Sequence, residues 1–338
     1  MRCCHESRGW AVVGAIILSG ASLLAQTYDT GTDHKAAAEV LRNSNSFGAA
    51  RLACPAAIFP VPMSNPGGGG PPRAAGTPGA ASSTTIPARD TWYAEGGQVF
   101  DNLYLLTTRA NSAWAVNTSA GIILIDTLFG YAGQDEIVGG LKKAGLDPTN
   151  IKYIVVSHAH ADHDGSVKFL QDTYKPHVIM DSKEWELTAR EVNPPRRDIV
   201  ASDGQKLTLG DTTVTIYITP GHTVGTLSVL VPVKDHGVPH LAMEWGGTAL
   251  NGNTSKEMLQ SYISNAGRFL DIAYGSGADV IIANHTEYND ALARFERTKE
   301  RKPGEPHPWV VGKAEVRNYL VVLQECAKSW LAISEGRP

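Results

Sequence analysis

The sequence predicts an α/β fold that begins near Asp90, and three observations carry that reading. Apolar runs of strand length alternate with segments of helical spacing from Asp90 onward. With 338 residues, 42% hydrophobic and 19% charged, the chain has enough apolar material to close a sizeable core. Histidines and carboxylates fall just past the ends of the apolar runs, where polar sites gather in such folds.

The elements follow in order. Val99–Thr107 and Ala113–Asn117 read as paired strands, and Gly121–Ile125 as a short strand ending at Asp126. Gln134–Ala144 has helical spacing, and Gly145 suits its C-terminal stop. Tyr153–Val156 is an apolar strand that runs through Ser157 into a histidine cluster, with a helix over Ser166–Tyr174 behind it. His177–Met180 is a further buried strand, and Lys206–Leu209 with Thr212–Thr219 makes a hairpin about Gly210-Asp211. Leu227–Val233 and His240–Met243 continue the strands, Lys256–Tyr274 is a long helix, and Val280–Ala283 is a strand followed by a helix from about Glu287. In Ala314–Ile333 the residues Val316, Leu320, Leu323, Ala327 and Trp330 make a core-facing helical stripe, with Cys326 beside it.

Ahead of this domain the composition changes three times. Residues 1–25 read as a secretory signal: Arg2 and Arg8 supply positive charge, and Trp10 to Ala25 is an uncharged, mostly apolar run ending in small residues. The run is short against the ~20 apolar residues of a membrane span, although an uncleaved anchor is the alternative. Cleavage after Ala21 or Ala25 fits, and the expected location is periplasmic or secreted, with no stable membrane anchor left. Residues 26–59 form a segment with a helix-like start at Ala36, Ala37, Ala38, Val40 and Leu41. Residues 60–89, with Gly67 to Gly70, Pro71-Pro72 and Ser82 to Thr85, read as a linker that buries no core. Removal of the signal leaves Cys54 and Cys326, which have one intramolecular pairing in an oxidising compartment; two separate buried thiols are the alternative. The net charge of −4 holds no basic field for a polyphosphate backbone, so nucleic acid is not an expected partner.

The chemistry lies in Ser157-His158-Ala159-His160-Ala161-Asp162-His163-Asp164-Gly165. Here His158, His160, Asp162 and His163 supply four side chains of the types that ligate zinc. Alternation along an extended turn sends His158 and His160 to one side, while Asp162 and His163 belong to a tighter turn and point toward a second metal. Ala159 and Ala161 leave room around them, and Gly165 permits a sharp exit into the next helix. His222, in the glycine-bounded turn Gly221 to Gly225, and His285, just past Val280–Ala283, complete the scheme. These five of the 11 histidines read as ligands; His5, His34, His177, His236, His240 and His307 do not.

The segment 158–163 resembles the H-x-H-x-D-H signature of the metallo-β-lactamase superfamily. The resemblance runs from about Asp90 to Arg301 and includes Phe100-Asp101-Asn102-Leu103-Tyr104, Ile122–Asp126, Pro220–His222 and Asn284-His285. It implies an αββα sandwich with metals at one edge. It also implies two zinc ions, the first on His158, His160 and His222 and the second on Asp162, His163 and His285. Glyoxalase II enzymes and many lactonases carry a metal-bridging Asp downstream of the third histidine, and one large group of β-lactamases has a Cys there. The matching stretch, Met243-Glu244-Trp245-Gly246-Gly247-Thr248, has neither. That pattern is similar to the third subclass of metallo-β-lactamases, although Glu244 or Asp235 stands as another candidate for the missing ligand.

The implied activity is opening of a β-lactam ring in a small-molecule substrate, by a hydroxide that two zincs share and Asp162 orients. Thr223 and Thr248 are candidates to bind a substrate carboxylate. Asp126 either orients a ligand histidine or caps the turn after its strand. Ser157 reads as a hydrogen-bonding residue at a strand end. Trp92, Tyr93, Trp114 and Trp245 either rim a pocket or fill the core. A lactonase or thioesterase of the same fold, a nuclease of the superfamily, and a metal-stabilised binding module without activity are the rival readings.

Overall fold

A computed structural model describes residues 53–55, 86–250 and 253–336. The expected signal segment, nearly all of residues 26–59 and most of the linker lie outside the described residues. Among the described residues no helix is long and apolar enough to cross a membrane.

Twelve strands among these residues make two sheets. The first runs in chain order: β1 (Gly97–Phe100), β2 (Leu103–Thr107), β3 (Ser112–Thr118), β4 (Gly121–Ile125), β5 (Ile151–Val155), β6 (His177–Met180) and β7 (Ile199–Val200). β1 to β4 are antiparallel neighbours, and β5 to β7 add parallel to β4. The second sheet is an antiparallel meander of β8 (Gln205–Leu209), β9 (Thr212–Ile218), β10 (Leu227–Asp235) and β11 (Val238–Glu244), with β12 (Val280–Ile282) parallel on β11.

The two-residue period of a strand sorts the apolar side chains into layers. Ile123 and Ile125 of β4 pack with Val229, Val231 and Val233 of β10 between the sheets. Ile122 and Leu124 face the other way, onto Ile137, Leu141, Val167 and Leu170. Those four come from a π-helical turn (Gly133–Val138) that continues into α2 (Gly139–Lys143), and from α4 (Val167–Tyr174). On the far face of the second sheet, Leu230, Met243 and Trp245 meet Phe269, Leu320 and Leu323. These belong to α6 (Lys256–Ser276) and α8 (Lys313–Ser334). Strands buried on both faces carry continuous apolar runs, as β4 does. The order helix, sheet, sheet, helix is the αββα sandwich.

Four elements depart from the sequence expectation. The run Val99–Thr107 breaks at Asp101-Asn102, because both side chains tie across to the other sheet. The Asp101 carboxylate accepts from the His236 and Gly237 amides at 3.1 and 2.8 Å, and Asn102 Nδ2 donates to the Pro232 carbonyl at 3.0 Å. The helix expected from Glu287 begins as a 3-10 turn, Thr286–Tyr288, and becomes α7 (Ala291–Glu300) after Asp290, which sits at φ 52°. A four-residue α3 (Ala161–Asp164) lies within the histidine cluster itself. The seven-residue α5 (Ser182–Thr188) was not expected; Asp181 caps it, accepting from the Lys183 amide at 2.7 Å. The short α1 (Arg89–Trp92) opens the domain where the sequence places its start.

The C-terminal stripe is as expected, with Val316, Leu320, Leu323 and Ala327 all fully buried. Cys326 of that helix is bonded to Cys54, and Trp330 Nε1 donates to the Ala53 carbonyl at 2.9 Å.

Candidate metal centre

The site forms where the ends of β4, β5, β9 and β12 meet at one edge of the sandwich. β5 ends at Val155, and Ser157 and His158 follow it just past Val156. The chain then turns at His160, whose carbonyl accepts from the His163 and Asp164 amides at 2.8 and 2.9 Å. This turn divides the cluster as the sequence predicts: His158, His160 and His222 form one group, and Asp162, His163 and His285 form another, with the ligand atoms of each within 4.8 Å of one another. Gly165 is needed here for space rather than for φ, since a Cβ would collide with the Ala161 carbonyl and the Gly130 amide.

Hydrogen bonds at Nδ1 of His158, His163, His222 and His285 hold these rings from one side, whereas His160 Nδ1 lies 3.1 Å from His222 Nε2 within the cluster. Asp126, at φ 60°, ends β4 in a left-handed conformation that few non-glycine residues adopt. Its Oδ1 accepts from the Ser157 amide at 2.7 Å, and its Oδ2 takes Ser157 Oγ at 2.8 Å and His163 Nδ1 at 2.9 Å. Ser157 Oγ in turn lies 3.0 Å from His158 Nδ1, and His222 Nδ1 donates to the Ala249 carbonyl at 2.7 Å. With Nδ1 engaged, the Nε2 atoms of His158 and His163 are buried and have no hydrogen-bond partner. Buried nitrogens left in that state fit a metal ion, because an unpaired polar atom in the interior is otherwise destabilising. Of the two roles the sequence leaves open for Asp126, the bond to His163 matches the orienting of a histidine ring.

Electrostatics agree with that assignment at His158, His222 and His285, and run the other way at His163. Burial, reinforced by the neighbouring imidazoles, pushes His158 well below 6.5, His222 to about 3 and His285 to about 4. These rings are neutral at physiological pH, the form that ligates a metal. Burial also acts to lower His163, but the Asp162 and Asp126 carboxylates outweigh it and raise the group well above its ordinary value. Asp162 Oδ2 lies 3.2 Å from His163 Nε2 and 3.6 Å from His285 Nε2. Asn111 Nδ2 donates to the same oxygen at 2.9 Å.

The other candidates have protein partners. Thr223 Oγ1 is buried and donates to Glu184 at 2.7 Å; Thr248 Oγ1 is buried and donates to Asn284 at 3.3 Å. Asp235 forms a two-pronged ion pair with Arg301 at 2.7 and 2.8 Å. Glu244 belongs to neither ligand group, and its buried carboxyl, with no partner, is pushed well above 4.5 by burial and by Asp126. Trp114 and Trp245 are fully buried in the core, donating to the Ala283 and Gly247 carbonyls. Trp92 is nearly buried, and its ring meets that of Tyr131 at 5.2 Å. The sequence reading passed over Asn111 and Glu184. Nothing in the sequence around Asn111 marks it, whereas Asp181-x-x-Glu184 is a capping-box pattern that marks a helix start.

The sequence profile of the metallo-beta-lactamase superfamily matches residues 106–236, which hold five of the six ligand candidates. Among solved structures, BJP-1, a subclass B3 metallo-beta-lactamase of Bradyrhizobium japonicum, is similar at TM-score 0.61 and 27% identity, covering 72% of this chain and 95% of that one. The metallo-β-lactamase superfamily is thus the family that the sequence profile, the fold and the two ligand groups of this chain match. The chain's curated relatives in that superfamily include a beta-lactamase-like protein 2 homolog of Caenorhabditis elegans, 25% identical over 66% of this chain and 80% of the relative. Another is an N-acyl homoserine lactonase of a Bacillus species, 27% identical over 42% of this chain and 55% of the relative. The chain is thus similar in sequence both to a protein named for its likeness to β-lactamases and to a named lactonase. Within the stretch Met243 to Thr248, which has neither Asp nor Cys, the glycines are tightly packed: a Cβ on Gly246 would collide with the Leu227 carbonyl, and one on Gly247 with His222 Cβ. The backbone there has no room for an added side chain.

Proposed function

We propose that this superfamily member is an exported di-zinc hydrolase that opens the β-lactam ring. The observation that carries the reading is the presence of two complete three-residue groups, His158, His160, His222 and Asp162, His163, His285, with, among the described residues, no seventh carboxylate or cysteine in either. The likeness to the subclass B3 enzyme BJP-1 supports it. His158, His160 and His222 hold one zinc; Asp162, His163 and His285 hold the other. When bound, zinc supplies Lewis acidity that polarises a carbonyl and acidifies water. The chain's own part is to hold Asp162, fixed by Asn111, where it orients the attacking water, and to keep His163 in place through Asp126. The Cys54–Cys326 bond supports export, since such bonds persist outside the cytoplasm.

A second reading is favoured by the sequence relatives: an N-acyl homoserine lactonase matches across 147 residues. A lactone likewise presents a ring carbonyl open to attack by water, so turnover must decide. Zinc-loaded protein is expected to bind two zinc ions per chain by metal analysis. It is expected to open a penicillin or a carbapenem, followed by absorbance, and to lose that activity to a chelator. Cleavage of a lactone or thioester with no turnover of any β-lactam moves the chain to the second reading, and one zinc or fewer rejects the di-zinc site.

A further inference from the structure

The three ligands of the first group come from both sheets: His158 and His160 follow β5 of the first, and His222 follows β9 of the second. Something must fix the distance between these two loops, and one side chain touches both. Glu184, from the first turn of α5, is fully buried. Its Oε2 accepts from the Ala159 amide at 2.7 Å, between His158 and His160. Its Oε1 accepts from Thr223 Oγ1 at 2.7 Å and from the Gly225 amide at 2.8 Å, on the loop that carries His222. α5 is itself seated against that loop, because a Cβ on Gly225 would meet the Asp181 side chain at 2.9 Å or closer. A glutamate at the third position of a helix commonly bonds back to its own cap. Here the Glu184 carboxylate bonds to the two loops instead.

We infer that Glu184 is a positioning residue for the first metal, clamping the His158–His160 loop to the His222 loop so that three imidazoles from two sheets converge. The inference rests on the metal reading proposed above. A carboxylate suits the task because it offers acceptors on both oxygens to three donors. A carboxamide offers one acceptor oxygen and an NH2, so Glu184→Gln keeps the shape but sets N–H against N–H at one of the loops. The second group draws its ligands from α3 and the end of β12 and has no bond to Glu184 among those described, so the effect is confined to the first.

The test isolates each metal. His285→Ala leaves only the first group complete, and His222→Ala only the second. In the His285→Ala chain, adding Glu184→Gln is expected to weaken the retained zinc about 10- to 100-fold, measured by competition with a chromophoric chelator. In the His222→Ala chain the same substitution is expected to leave zinc affinity unchanged. Thr223→Val, which removes one of the three bonds, is expected to give a smaller loss in the first background and none in the second. It carries the test with the same expectations if Glu184→Gln does not fold. Equal losses in both backgrounds, or none in either, overturn the inference. A parent chain that takes up no zinc overturns the metal reading instead, and does so before any Glu184 variant is compared.

Discussion

Asp162 shows how a single residue joins the two halves of the site. It follows two ligands of the first group by sequence yet belongs to the second by geometry, because the turn at His160 rotates it toward His163 and His285. Its Oδ2 faces both of those rings and the Asn111 amide, so the carboxylate is held before any substrate arrives. Asp162→Ala is expected to lower turnover by about a hundredfold or more, the scale at which a positioned acid–base group acts. The melting temperature of the metal-free protein should change far less, since the side chain is partly exposed and fills no core. Near-normal turnover of the variant on whichever substrate the wild type accepts would reject the assignment.

At the scale of elements, the π-helical turn Gly133–Val138 carries a group that departs from the ordinary rules. Gly133 lets this turn lie directly on Ser166, where any Cβ would collide with the hydroxyl. Three residues on, Glu136 is buried with Oε1 unpaired. Burial pushes its carboxyl to about 8, against the opposing pull of Arg89 and Lys143. The folded pKa lies above the ordinary 4.5, so the folded chain binds a proton that the unfolded chain has released. The stability this contributes is complete below pH 4.5 and is lost as pH rises through about 8. Glu136→Gln, which cannot ionise, is expected to flatten the fall in stability across that window and to exceed the wild type above it. Denaturant unfolding of both proteins at pH values on either side of the window checks this, and a constant difference between them would count against it.

At the scale of the whole molecule, the sandwich is tied where strand pairing cannot reach. Asn102 joins the first hairpin to β10 and Asp101 joins it to the turn between β10 and β11, and Asn284 Nδ2 donates to the Gly246 carbonyl at 2.8 Å, linking β12 to the glycine turn. The covalent tie is Cys54–Cys326, which spans a separation of 272 residues and docks Ala53 and Cys54 into the core beneath α8. A loop of that length corresponds to about 5 kcal/mol of lost chain entropy in the unfolded state. Cys326→Ser, or reductant added to the wild type, is therefore expected to lower the melting temperature by roughly 10 °C, at a few degrees per kcal/mol for a domain of this size. Non-reducing peptide mapping that finds both thiols free, or melts unmoved by reductant, would contradict the pairing.

By itself the sequence determined the order of strands and helices and the metal-ligand candidates, while the layering was what the family resemblance implied. Elements and candidates are both local: a period of two or 3.6 residues sorts apolar side chains wherever it occurs, and His158 to His163 need only one turn to divide between two groups. The sequence also placed His222 and His285, because each stands directly past a strand end. What only the tertiary structure decided are contacts between distant elements. Asp126 and His163 lie 37 positions apart, Asn111 and Asp162 lie 51 apart, and Glu184 meets partners 25 to 41 positions away. No local pattern distinguishes a carboxylate that will cap its own helix from one that will reach two loops of opposite sheets. Thr223 illustrates the same point: beside His222 in sequence it looks ready to meet a substrate, but the packing of α5 brings Glu184 to its hydroxyl. A side chain's partner is set by which surfaces the sandwich presses together, and that follows from the burial of all three cores at once.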